Sequence, residues 1–100
     1  MYQTIFKYPF NINDKIILNL PKGFEIVSVI LDPTLVKGST NFWLYARIDS
    51  EEIEQEQYEI RIFGTGNRCD IDISQYKNLG TIVDKGYDMT FIWHIFGRRI

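Results

Sequence analysis

Apolar and polar residues alternate along most of this chain in short runs cut by turn residues, a pattern that predicts β-strands. Tyr2 to Tyr8 opens the chain and is expected to stop at Pro9. Ile16 to Leu20 lies between Asn13-Asp14 and Pro21-Lys22-Gly23. Glu25 to Leu31, rich in Ile and Val, ends at Asp32-Pro33. Phe42 to Asp49 follows the turn cluster Gly38-Ser39-Thr40-Asn41. Gln57 to Phe63 runs into Gly64-Thr65-Gly66-Asn67, Leu79 to Asp84 ends at Lys85-Gly86, and Met89 to Phe96 closes before Gly97.

About seven strands at this spacing predict a single all-β domain over residues 1–100, a sandwich or partly open barrel of mostly antiparallel strands. Helix signals are confined to Glu51–Gln55, as one turn, and Ile73–Tyr76. Glu51, Glu52, Glu54 and Glu56 crowd one connection and read as a solvated loop, since a cation site needs ligands that converge. Asp70 and Asp72 would share a face if extended. Two carboxylates alone read as the polar edge of a connection.

Period-two geometry sorts the side chains of the central runs. Phe42, Leu44, Ala46 and Ile48 share one face, with Trp43, Tyr45 and Arg47 on the other. Tyr58, Ile60 and Ile62 likewise oppose Glu59, Arg61 and Phe63. The two runs are consecutive, so an antiparallel hairpin across the acidic loop is expected. It would turn the aliphatic faces to the core and merge Trp43, Tyr45, Arg47, Arg61 and Phe63 into one surface. Aromatics and arginines are enriched in interface hot spots and also stack bases and hold phosphates. A homo-oligomer interface or a pocket bordering one is expected there.

Composition narrows the function classes. Hydrophobic residues make up 45% of the chain and aromatics 15%, which argues for an ordered core. The net charge of −2 lacks the basic excess of a dedicated nucleic-acid binder, so nucleic acid is not an expected partner. The one cysteine, Cys69, cannot pair within the chain, in keeping with a reducing compartment. The start, Met1 to Tyr8, lacks the apolar run of a signal peptide, and no stretch is long enough for a membrane helix. A cytoplasmic protein, in the host cell if phage-encoded, is expected, with no membrane contact and no cofactor.

The catalytic inventory is poor. His94, the only histidine, alternates onto the face of Ile92 and Phe96 and reads as a hydrogen-bonded structural residue. No nucleophile elbow marks a Ser or Cys triad, and Ser28 lies mid-strand. Gly64-Thr65-Gly66-Asn67-Arg68 is the strongest local motif. Its glycines allow positive φ and close backbone approach, so the loop is either a tight turn or a cradle of N–H groups for an anion. It lacks the Gly-Lys-Ser/Thr ending of a P-loop.

Taken together, Ile5-Phe6-Lys7-Tyr8, Leu20-Pro21-Lys22-Gly23, Ile26-Val27-Ser28-Val29, Trp43, Gly64-Thr65-Gly66-Asn67, Leu79-Gly80-Thr81-Ile82 and His94-Ile95-Phe96 resemble a domain-of-unknown-function group of small proteins from tailed phages, prophages and bacteria. The resemblance spans nearly the whole chain. The chain departs from that group at Phe6, where relatives often carry Trp, and at Asn67, where they often carry His. The resemblance implies a phage-linked origin and carries over no catalytic residue. The expected function is therefore a non-enzymatic binding protein of a phage or mobile element. It would interfere with host defence by sequestering a nucleotide signal or capping a host protein, through Trp43, Tyr45, Arg47, Arg61, Phe63 and Gly64 to Arg68. The alternatives are a small virion or assembly component working through protein contacts alone, and a hydrolase using His94.

Overall fold

The computed structural model describes residues 2–34 and 41–100, and these described residues form seven strands and one 3-10 turn. The strands are β1 (Gln3–Asn11), β2 (Ile16–Pro21), β3 (Glu25–Leu31), β4 (Asn41–Asp49), β5 (Gln55–Gly64), β6 (Lys77–Lys85) and β7 (Thr90–Arg99), with the 3-10 turn at Ile73–Gln75. They build two antiparallel sheets, ordered β1-β4-β3 and β2-β5-β7-β6, packed as a sandwich and not closed as a barrel. The turn residues 38–40 lie outside the described residues.

The core follows from the alternation. Phe42, Leu44, Ala46 and Ile48 of β4 meet Tyr58, Ile60 and Ile62 of β5, Ile95 of β7, Ile82 of β6 and Leu20 of β2, all buried. Phe24, between β2 and β3, plugs one end and meets the Tyr58 ring edge-on at 5.3 Å, while Phe10 stacks on Phe42 at 5.4 Å. Each fully buried side chain of this size stabilises the fold by about 1.5–3 kcal/mol relative to exposure.

The expected β4–β5 hairpin does not form: β4 belongs to one sheet and β5 to the other. Their aliphatic faces still point at the core, but from opposite sides of it. The connection after Asp49 is an arch from sheet to sheet, tied by the Ser50 N–H to Tyr2 O and the Lys22 N–H to Glu54 O, each 2.9 Å. Residues 50 and 51 make a turn, and no helix forms over Glu51–Gln55. A period-two pattern is satisfied equally by a hairpin and by an arch, because both bury the same face.

Two strands run three residues past their expected ends. β1 continues through Pro9, which pairs with Trp43. It can do so because β1 is an edge strand, the place in a sheet where a missing N–H is tolerated. β7 continues through Gly97, which lies opposite Ile60.

Candidate ligand-binding site

The split between sheets divides the expected aromatic–arginine surface in two. Trp43, Tyr45 and Arg47 lie on the outer face of β1-β4-β3, in register with Pro9, Lys7 and Ile5. The Lys7 ammonium sits 3.8 Å from the Trp43 ring centre, and Trp43 meets Tyr45 edge-on at 6.4 Å. Arg61 and Phe63 lie on the outer face of the other sheet, beside Glu59, and the Gly64–Arg68 segment goes with them.

On that second face the connection from β5 to β6 folds back over the strand and buries two charges, Glu59 at 3% and Arg61 at 8% exposure. Arg61 Nη2 donates to Asp70 Oδ1 at 2.6 Å and Nη1 to Glu59 Oε2 at 3.5 Å. Glu59 also accepts from the Tyr76 hydroxyl at 2.6 Å and from Arg98 Nε at 3.3 Å. Burial works to raise the pKa of Glu59, but the hydrogen bonds from Tyr76, Arg98 and Arg61 outweigh it and hold the group below the ordinary glutamate value. Burial works against the Arg61 charge as well, and Asp70 and Glu59 more than restore it. Of the expected carboxylate pair, Asp70 is thus an ion-pair partner. Asp72 caps the 3-10 turn, accepting from Ser74 N at 3.1 Å and Ser74 Oγ at 2.6 Å.

β5 ends in a tight turn in which the Asn67 N–H donates to Gly64 O at 3.1 Å. Gly66 takes the third position with φ +85°, where a side chain would be strained. Thr65, at the tip, reaches His94: its Oγ1 lies 2.7 Å from Nε2, and Thr81 Oγ1 lies 3.4 Å from Nδ1 on the other side of the ring. The only histidine is therefore held between two hydroxyls on the sheet surface.

Three recesses meet at this turn, and Gly64 and Asn67 line all of them. The largest, about 510 Å³, is walled by Arg61, Arg68, Asp70, Trp93, Asn13 and Asp14. It exists because β2 begins at Ile16, opposite Ile60, so that β5 from Arg61 onward has no strand on that flank. The second, about 390 Å³, is bounded by Thr65, Thr90, Phe91, Ile92 and Trp93. The third, about 230 Å³, lies over Phe63, Phe96, Ile73, Cys69 and His94. Cys69 is a free thiol. Among the described residues no three His, Cys, Asp or Glu side chains gather as metal ligands would.

The largest recess has a further property. Two buried side-chain nitrogens have no hydrogen-bond partner among the described residues, Arg61 Nε and Trp93 Nε1, and both residues line it. Both are donors. A buried donor left unpaired costs about 1–3 kcal/mol, a cost recovered by any acceptor brought within hydrogen-bond distance of it. Arg68 is exposed at the rim and pairs with no carboxylate among the described residues. Of the residues expected from the sequence, Arg61, Phe63, Gly64, Asn67 and Arg68 come together here, with Thr65 and Gly66 in the adjoining recesses. Trp43, Tyr45 and Arg47 do not. Trp93, Phe91, Asn13 and Asp14 enter the site without having been singled out. Trp93 alternates in step with Ile95, which marks it as core, and only its position opposite Gly64 at the strand end opens it to the recess.

A family model described as "Domain of unknown function (DUF7352)" matches residues 1–100, and the chain belongs to that family. No curated protein and no solved structure matches it.

Proposed function

We propose that the protein is a non-enzymatic binding protein that holds a small anionic ligand in the recess between Arg61, Arg68 and Trp93. The observation that carries this reading is that Arg61 and Trp93, each with a buried donor nitrogen that has no partner among the described residues, line one recess beside the exposed Arg68. Charge-assisted hydrogen bonds from guanidinium to an anion are the strong ones. The turn adds the side-chain amide of Asn67 to the same wall. His94 supports binding over hydrolysis, since both of its ring nitrogens are engaged by threonines. The resemblance to phage and prophage proteins supplies the proposed setting, in which withdrawing a small anionic signal from solution weakens a host defence.

The test is calorimetric titration of the full chain with inorganic phosphate and pyrophosphate, repeated on Arg68→Gln. Saturable binding that weakens several-fold in the variant is expected. No binding of either anion at millimolar concentration overturns the proposal.

A second reading has its own observation. Ile5, Val27 and Ile30 remain 57%, 53% and 38% exposed on the outer face of β1-β4-β3 around Trp43 and Tyr45, which favours a component acting through protein contacts on that face.

A further inference from the structure

We infer that the ligand class is a nucleotide, its phosphate held in the arginine recess and its base in the groove beside Phe91. This inference rests on the anion-binding reading above and adds to it the use of a second compartment. The groove of about 390 Å³ shares Gly64, Asn67 and Trp93 with the arginine recess, so the two are neighbours across one wall. Their chemistry differs. Both arginines line the recess and no charged side chain lines the groove, which is bounded by Phe91, Ile92 and Trp93 with the hydroxyls of Thr65 and Thr90. A phosphate or polyphosphate would use only the first compartment. A molecule with an anionic end and a flat, apolar-faced, hydrogen-bonding end uses both.

The groove is suited to a flat ring. Phe91 lies nearly parallel to Trp93, with ring centres 5.6 Å apart at an interplanar angle of 14°, and is 40% exposed. A third aromatic ring would extend that stack, and stacking accepts any base because every base has a π-face. Asn67, on the shared wall, offers both a donor and an acceptor, as a base edge requires. Trp93 is level with Gly64, and Phe91 lies two residues earlier on β7, about 7 Å away. A sugar joining phosphate to base would cross that interval.

The experiment compares AMP, ribose 5-phosphate and inorganic phosphate by calorimetry on the full chain. AMP is expected to bind about tenfold tighter than ribose 5-phosphate, the gain of one stacked base. Phe91→Ala should erase that difference and leave ribose 5-phosphate binding unchanged. Phe91→Leu, which keeps apolar bulk without the flat face, should behave the same way and guards against loss of folding. Equal affinities of AMP and ribose 5-phosphate overturn this inference while the anion site stands. A preference for AMP that survives both Phe91 variants overturns the placement of the base. Failure of all three compounds to bind removes the anion site and this inference with it.

Discussion

Gly97 of β7 lies against the phenol ring of Tyr58 in β5: a Cβ on Gly97 would come within 2.4 Å of Tyr58 Cε2 and 2.5 Å of its hydroxyl oxygen. The ring cannot swing aside, because Tyr58 is 3% exposed and packs edge-on against Phe24. Gly97→Ala should therefore destabilise by about 1–3 kcal/mol, the usual cost of overpacking. That corresponds to a drop in Tm of about 4–8 °C per kcal/mol for a domain of this size. In a Tyr58→Ala background the same change should cost little, because the space has been cleared. Urea unfolding of the four variants measures the coupling, and an equal cost of Gly97→Ala in both backgrounds would show that the ring is not the obstacle.

Tyr58 and its neighbour Glu59 face opposite sides of β5 and should govern opposite ends of the pH profile. Burial pushes the Tyr58 hydroxyl up to about 12, against the pull of the Arg99 charge. Its contribution is complete below the unfolded tyrosine value of about 10 and is lost as pH rises through the folded value. Glu59 is held below the ordinary value, so its contribution is complete above about pH 4.3 and is lost as pH falls through the lower folded value. Thermal melts across the pH range should show stability falling at both ends. Tyr58→Phe should flatten the alkaline limb and Glu59→Gln the acid limb. An acid limb of unchanged depth in Glu59→Gln would assign it to other carboxylates.

Strand positions were legible in the sequence because alternation and turn residues are local signals, and Glu25–Leu31 coincides with its expected bounds. Sheet membership was not. The β4 and β5 runs present the same apolar faces whether they pair with each other or arch over the core, and only their partners, β1 and β3 against β2 and β7, decide. The site was half legible for the same reason. Gly64 and Gly66 mark a turn wherever they occur, and Arg61 beside Glu59 marked a polar strand face. The recess itself depends on β2 beginning no earlier than Ile16, a long-range pairing fact that leaves no trace in the local pattern.

The outer face of β1-β4-β3 should make the protein a homo-oligomer. Val27, in the bulge between Ile26 and Ser28, is exposed beside Tyr45 and joins Ile5 and Ile30 around Trp43 and Tyr45. An apolar patch of several hundred Å² is at the upper end of what soluble monomers expose. The face carries both signs of charge, Lys7 and Arg47 with Glu25 opposite Arg47 in the register, so it can complement a second copy of itself across a two-fold axis. Val27→Glu changes an exposed bulge residue and should leave the fold intact while dissociating the assembly. Light scattering at micromolar concentration decides: a native monomer, or a Val27→Glu variant of unchanged mass, would sink the interface.

Two glycines of the turn should separate folding from binding. Gly66 has φ +85°, so Gly66→Ala forces a side chain into the left-handed region and should cost about 1–2 kcal/mol of stability. Gly64 is not among the positive-φ glycines, and alanine there reduces the freedom of the unfolded chain, a gain of about 0.4–1 kcal/mol where the native backbone is compatible. A Cβ on Gly64 would, however, come within 2.9 Å of Asn67 Nδ2, the free end of a side chain that can rotate away. Gly64→Ala should therefore keep its Tm within a few degrees of the native protein. Asn67 lines all three recesses, and moving its amide should weaken phosphate and AMP binding together. Melting curves and titrations of both variants check this. A Gly64→Ala protein that binds as the native one does would show that Asn67 contributes nothing to the ligand, whatever Gly66→Ala does to the fold.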